Sequence, residues 1–309
     1  MLLTPRFDMV LFLMTNICNL TCKHCYVNSS PRGEFGFSLN KMETVLDDIY
    51  QSIGPVRIAL SGGEPLARPK DALALLRRAN RVHPLLLLTN GTLISRTIAE
   101  ELAELNLTIR ISIDGSNPTS HDYVRGKGSF LKSIKGIERL RSSGFSIENI
   151  ELFAMIPPEH VKELHEIVSL AESLGIVRLK IEPIAKTGRA NEYWLPYESN
   201  PDPETEEYRR FFNSDLASNL FSSWDINEIR DTAFNVLNIY SNGDVVPYTY
   251  QDPEDREIGL AGNLNDGTLE EILKSKRMSD AIVGKFVRMS RGPSRSLRAM
   301  RFIHKSVQN

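Results

Sequence analysis

The sequence predicts an α/β fold built on a parallel sheet, a partial (β/α)6 barrel followed by a small α+β appendage. Three observations carry this prediction. Short, nearly continuous apolar runs alternate with amphipathic segments through the first two thirds of the 309 residues, the pattern of strands covered on both faces and joined by crossover helices. Six such runs precede residue 190, fewer than a closed eight-fold barrel requires. Two further runs around a turn, after residue 230, break the rhythm and mark a second unit.

In chain order, the expected strands are Met9–Met14, Val56–Leu60, Leu85–Thr89, Thr108–Ile113, Ile150–Ile156 and Val177–Pro183. The helices between them are Leu39–Ser52, Lys70–Val82, Ser95–Leu105, Ser129–Ser142 and His160–Leu174. Ser38 and Ser95 are suited to cap helix N-termini, and Gly144 and Gly175 stand where a left-handed residue would end a helix. The βαβ order implies right-handed crossovers and a partial TIM-like barrel, with its ligand site at the C-terminal ends of the strands. Asn200-Pro201-Asp202-Pro203 reads as a loop and Glu204–Phe221 as an amphipathic helix. Val236–Tyr240 and Val245–Tyr250, separated by Ser241-Asn242-Gly243-Asp244, form a hairpin signal, and Leu269–Lys276 a short helix. The expected division is 1–190 barrel, 191–230 connecting helical segment, 231–280 appendage and 281–309 basic tail. The tail holds seven Lys and Arg residues and no acid.

Composition narrows the function classes. Hydrophobic residues make up 41% and charged residues 25%, with a net charge of −2, values of an ordinary globular protein and not of a disordered one. Near-neutrality gives no basis for general attraction to nucleic acid or an anionic membrane, so neither is an expected partner. The apolar stretch Met9–Met14 is far short of the ~20 residues a bilayer span needs, and no secretory cleavage pattern follows it. The expected address is cytoplasmic.

The three cysteines, Cys18, Cys22 and Cys25, are the only ones in the sequence and all lie directly after the first expected strand. A disulfide framework would spread an even number along the chain. A close group of thiols points to metal. Cysteine thiolates hold iron–sulfur clusters, and three without a fourth would leave one iron of a cubane open to another ligand. Zinc bound by the three thiols and His24 is the alternative, although His24, wedged between two of them, makes a tetrahedral wrap awkward.

Cys18-Asn19-Leu20-Thr21-Cys22-Lys23-His24-Cys25 resembles the signature of radical S-adenosylmethionine (SAM) enzymes. Further segments match in order. Ser61-Gly62-Gly63-Glu64-Pro65 is similar to that family's GGEP motif, Thr89-Asn90-Gly91 ends the third strand, and Ser112-Ile113-Asp114-Gly115 ends the fourth. His121-Asp122-Tyr123-Val124-Arg125-Gly126, followed by Gly128-Ser129-Phe130, resembles a segment of the SPASM branch. The resemblance spans Phe12 to about Ala190.

It implies one [4Fe-4S] cluster on Cys18, Cys22 and Cys25, with the amine and carboxylate of SAM on the open iron. Reduction would cleave SAM to a 5′-deoxyadenosyl radical that abstracts a substrate hydrogen. Gly62 and Gly63 would allow close backbone approach, and Glu64 and Pro65 belong to the motif that holds the SAM ammonium. Thr89 and Asn90, with Ser112 and Asp114, sit where the family's third and fourth strands contact SAM. Arg125 matches the arginine that grips the SAM carboxylate. His24 and Tyr26 flank the third cysteine, where the adenine is covered.

The resemblance extends to a SPASM-like or twitch-like unit at Asn238–Pro247, Gly262-Asn263-Leu264 and Thr268–Ile272, but Tyr248 stands where the family has a cysteine. A second cysteine-ligated cluster within this chain is excluded by counting. Dehydrogenating relatives pass an electron to such a cluster, and some epimerising relatives quench the substrate radical with a thiol. The chemistries favoured are therefore redox-neutral: rearrangement, elimination, decarboxylation or bond formation. Epimerisation or dehydrogenation would need another donor or acceptor, for which Tyr248 and Tyr250 are candidates; a non-catalytic iron–sulfur accessory protein is the remaining alternative. The expected substrate is a peptide, such as a ribosomal natural product precursor, or a small metabolite. The expected electron donor is of flavodoxin or ferredoxin type. With so little chain before the first strand, no N-terminal module for capturing a peptide leader is expected.

Overall fold

A computed structural model of the chain describes residues 6–184, 187–194, 236–247 and 259–282. The six expected strands are present as β1 (Met9–Leu13), β2 (Arg57–Ser61), β3 (Leu85–Thr89), β4 (Leu107–Ser112), β5 (Ile150–Ile156) and β6 (Arg178–Pro183). Each lies parallel to its successor, with pairings such as Val10 to Ile58, Leu87 to Ile109 and Leu152 to Leu179. Their C-terminal ends therefore share one rim.

The crossover helices are α1 (Leu39–Ile53), α2 (Pro69–Ala79), α3 (Arg96–Ala103), α4 (Pro118–Arg125), α5 (Ser129–Ser142) and α6 (Leu164–Ser173). Ser38 and Ser95 cap as expected, accepting from the backbone N–H of Lys41 and Ile98. Gly144 and Gly175 are left-handed, at φ 83° and 70°. Two departures have local causes. The helix expected from His160 starts at Leu164, because Pro157 and Pro158 lead into 3-10 turns over Pro158–Glu163. Helix α4 is additional to the expected set: Asn117 caps it, Pro118 takes its first position and Gly126 ends it.

One face of the sheet packs against the helices through Val10, Phe12, Leu60, Leu87, Ile109, Ile111, Leu152 and Ala154. The opposite face is not uniformly apolar. On β4 and β5 buried and half-buried residues alternate strictly, so Arg110, Ser112, Glu151, Phe153 and Met155 share the inner, concave side. The polar groups on that side are half-buried, and Arg110 and Glu151 pair across β4 and β5 at 2.8 Å.

β7 (Val236–Ile239) pairs in parallel with β1, and β8 (Asp244–Pro247) and β9 (Gly262–Asn263) follow antiparallel, giving the order β6-β5-β4-β3-β2-β1-β7-β8-β9. The expected appendage thus continues the barrel sheet and covers its β1 edge, which would otherwise present unpaired backbone groups. After α7 (Ala190–Tyr193) and these strands, α8 (Leu269–Leu273) joins the main core through Leu269 and Ile272. The helix expected over Glu204–Phe221, the candidates Tyr248 and Tyr250, and the basic tail beyond Ile282 lie outside the described residues. Among the described residues, no helix is long and apolar enough to cross a membrane.

Candidate functional site

The loop after β1 carries the three cysteines and is stitched to its neighbours by backbone hydrogen bonds. Gly63 N–H donates to the Thr15 carbonyl at 2.7 Å and Glu64 N–H to the Ile17 carbonyl at 2.9 Å. These contacts explain the glycines after β2. A Cβ on Gly62, at φ 142°, would lie 2.4 Å from the Thr15 oxygen, and one on Gly63 would lie 2.3 Å from the Ile17 oxygen. Any side chain would push the two loops apart. The cysteine loop closes on itself where Cys18 N–H donates to Ser30 O at 3.0 Å and Asn16 N–H to Glu34 O at 3.0 Å.

Cys18 and Cys22 are buried and Cys25 half-buried. Their sulfurs have only weak partners. Cys18 Sγ accepts from Leu20 N–H at 3.4 Å and faces Asn90 Nδ2 at 3.9 Å, while Cys25 Sγ accepts from Ser29 N–H at 3.2 Å. Burial pushes the Cys18 thiol up to about 12, helped by the nearby Glu64 carboxylate. Burial likewise raises Cys22 to about 11, against the pull of Arg125. Such thiols bind metal as thiolates, so metal binding there releases their protons to solvent. Three thiol donors, with His24 bonded to Asp114 and so not free to join them, are the donor set of an iron–sulfur cluster whose thiolates bind separate irons. The cysteines fit the cluster in number, softness and enclosure.

Beside Cys18, Glu64 is buried and its carboxylate is fully engaged. It accepts from Leu66 N–H at 3.0 Å and Thr89 Oγ1 at 2.7 Å through one oxygen, and from Asn90 N–H at 2.7 Å through the other. Burial raises its pKa, and these three donors work against the rise. The side chain therefore locks the loop after β2 to the end of β3, leaving backbone and not carboxylate to face a ligand. Asn90 in turn donates to Asn19 Oδ1 at 3.0 Å, so Thr89 and Asn90 connect the β3 end to the cysteine loop. Pro65, buried, opens the 3-10 turn Pro65–Ala67.

On the other side, Asp114 is wholly buried and gathers four donors. Arg125 approaches with Nε at 2.5 Å and Nη2 at 3.1 Å, His24 Nε2 lies at 2.6 Å, and Met155 N–H donates at 2.9 Å. Burial disfavours the Asp114 charge, but the Arg125 guanidinium and His24 hold its carboxyl well below the usual range. Burial also opposes the Arg125 charge, and Asp114 with the Cys22 sulfur more than offsets it, keeping the guanidinium protonated. The Cys22 thiol points at the Arg125 carbonyl at 4.0 Å. Ser112 stands half-buried at the end of β4 on the inner face.

The expected site residues thus fall into two groups around the cysteines: Glu64, Thr89 and Asn90 beside Cys18, and His24, Asp114 and Arg125 beside Cys22. His24 is spent on Asp114, while Tyr26 lies at the surface, 39% exposed. Arg189 escaped the sequence reading. Its side chain donates to the Cys22 carbonyl at 2.9 Å and the Ser29 carbonyl at 2.6 Å. The available signal was the Gly188-Arg189 pair shortly beyond Pro183, the end of the sixth strand, whose C-terminal end shares the rim that carries the cysteines. Asp122 was also missed as a helix cap. It accepts from Gly128 N–H at 2.5 Å and Phe130 N–H at 2.8 Å and so starts α5.

The family model described as the Radical SAM superfamily matches residues 12–171. An AdoMet-dependent heme synthase from Methanosarcina barkeri (strain Fusaro) is 33% identical over 194 residues, 61% of this chain and 53% of that protein. Mycofactocin maturase MftC from Mycobacterium tuberculosis (strain H37Rv) is 28% identical over 197 residues, 63% of this chain and 49% of that protein. The chain therefore spans about half the length of these curated relatives. In fold, it is similar to Streptococcus suis SuiB bound to precursor peptide SuiA, with TM-score 0.66, 16% identity and coverage of 88% of this chain and 66% of that one.

Proposed function

Because the chain belongs to the radical SAM superfamily, whose members use a [4Fe-4S] cluster and SAM, we propose that it carries one such cluster on Cys18, Cys22 and Cys25 and abstracts hydrogen from a peptide or small metabolite. The observation that carries this reading is a loop bearing two buried thiols and one half-buried thiol, tied by its Thr15 and Ile17 carbonyls to the Gly63 and Glu64 N–H groups on the rim where the β strands end. When bound, the cluster and SAM supply a 5′-deoxyadenosyl radical.

The chain's own residues bind, orient and enclose. Gly62 and Gly63 leave their backbone open to the SAM ammonium, and Glu64 holds that segment rigid from below. Arg125, pre-set by Asp114, offers its remaining guanidinium face to the SAM carboxylate. Burial around Cys18 and Cys22 excludes the water that would quench a reactive carbon radical.

A precursor peptide on the SuiB fold and the relative named a maturase support a ribosomal peptide as the first substrate to try. The heme synthase relative supports testing small metabolites beside it. The C-terminal strands are read as a SPASM-like unit without cysteines, which leaves this chain no thiol outside the cluster set. Redox-neutral chemistry follows as the favoured outcome, with a flavodoxin- or ferredoxin-type donor in the cytoplasm.

The decisive experiment is anaerobic reconstitution, with iron and sulfide counted per chain and EPR of the reduced protein with and without SAM. About four irons and a SAM-perturbed spectrum are expected, with 5′-deoxyadenosine formed on reduction. In Cys22→Ala both cluster and SAM cleavage should be lost. A cluster indifferent to SAM would replace the enzyme by an accessory iron–sulfur protein.

A further inference from the structure

β1 and β6 are the first and last of the six barrel strands, and among the described residues no strand pairing joins them. One short segment ties their loops together at the rim. Arg189 N–H donates to the Cys25 carbonyl at 3.1 Å. The same residue's Nε reaches the Cys22 carbonyl at 2.9 Å and its Nη2 the Ser29 carbonyl at 2.6 Å. Three donors of a single residue thus take three carbonyls of the cysteine loop, two of them those of Cys22 and Cys25. Gly188 makes the approach feasible. It has φ +56°, and a Cβ there would lie 2.3 Å from the Cys25 oxygen and 2.6 Å from the Tyr26 oxygen. Those are backbone atoms, which cannot swing aside. Behind it, Ala190 N–H returns to the Thr187 carbonyl at 3.2 Å, and Thr187 and Ala190 are both buried.

This arrangement does two things at once. It closes the ligand-bearing loop from the far edge of the barrel, so the spacing of Cys22 and Cys25 no longer depends on local turns alone. It also places a permanent positive charge on the peptide groups of the ligating residues. Guanidinium is suited to the task, because its planar fork can serve two carbonyls that a lysine ammonium cannot satisfy together.

We propose that Arg189, admitted by Gly188, is a positioning residue that holds the cysteine loop in its ligating shape and biases the bound cluster toward its reduced, more negative state. The second half rests on the radical SAM reading; the first does not.

The test uses the full chain in two forms. In the cluster-free protein, hydrogen exchange of peptides covering residues 18–29 is compared among wild type, Arg189→Met, Arg189→Lys and Gly188→Ala. Arg189→Met and Gly188→Ala should speed exchange there at least about ten-fold, as loss of a charge-assisted hydrogen bond predicts, while α5 peptides exchange as in wild type. Arg189→Lys, which keeps the charge and loses the fork, should fold even if Arg189→Met does not. In the reconstituted protein, the midpoint potential of Arg189→Met should fall below wild type, and that of Arg189→Lys should return toward it. Wild-type exchange in both Arg189→Lys and Gly188→Ala would overturn the positioning role, and an unchanged potential in Arg189→Met would overturn the electrostatic one. If the wild type itself takes up no cluster, the enzyme reading fails while the exchange experiment still decides Arg189.

Discussion

Asp114 and Arg125 form a buried two-pronged ion pair, Nε to Oδ2 at 2.5 Å and Nη2 to Oδ1 at 3.1 Å, that joins the end of β4 to the last turn of α4. The pair orients the guanidinium before any ligand arrives, and His24 adds a link from the same carboxylate to the cysteine loop. The cysteine loop, the loop after β4, helix α4 and strand β5 therefore share one carboxylate.

Removing that carboxylate should be severe. Asp114→Asn leaves a buried guanidinium without its counter-charge, and a loss of about 3–5 kcal/mol is expected. Urea unfolding of the cluster-free protein measures it. A change below about 1 kcal/mol would mean that Arg125 finds another partner.

Arg125→Lys separates charge from shape. The ammonium keeps the charge but cannot grip two carboxylates with a planar fork. SAM affinity should fall about ten-fold or more, with iron content unchanged, as read by calorimetric titration. Wild-type affinity would remove Arg125 from the SAM site.

Glu64→Gln turns one of two acceptor oxygens into a donor that faces an N–H or hydroxyl already donating. A cost of about 1–3 kcal/mol in stability is expected. Reconstitution should also load less iron, since the Asn90 contact beside Cys18 loosens. Unchanged stability together with full iron would show that the loop after β2 does not need the carboxylate.

Acid should find His121. Its ring is buried, its Nδ1 accepts from Asp114 N–H at 3.1 Å, and its Nε2 has no hydrogen-bond partner among the described residues. Burial pushes it down from 6.5 to about 4, against the attraction of Asp114. Its folded pKa lies below its unfolded one, so the unfolded chain binds the extra proton between these values. The contribution is complete above pH 6.5 and is lost as pH falls toward 4, up to about 3 kcal/mol. In His121→Asn, whose amide oxygen can still accept from Asp114 N–H, stability should fall less steeply over that window. Parallel pH profiles for the two proteins would exclude His121 as the titrating group.

Much of the scaffold was legible in the chain. Leu85–Thr89, Ile150–Ile156 and Ser129–Ser142 coincide with their expected ranges, because apolar runs and glycine stops are local signals. The cysteine loop, the two glycines after β2 and the segment ending in Arg125 were found the same way, from residue types at short spacing. Helix α4 was missed although Asn117-Pro118 announced its start, because its sequence carries only a short apolar stripe.

The sequence by itself determined the strand and helix order, the absence of any cysteine beyond Cys25 and the chemistry available at the strand ends. All of these are composition or near-neighbour pattern. Tertiary structure alone decided how those groups are employed. Glu64 serves Asn90, 26 residues away, and Arg189 serves Cys22, 167 residues away. The appendage strands pair with β1 rather than standing apart. A buried polar group takes whichever partner the packed backbone brings within hydrogen-bond reach, and no local pattern encodes that partner.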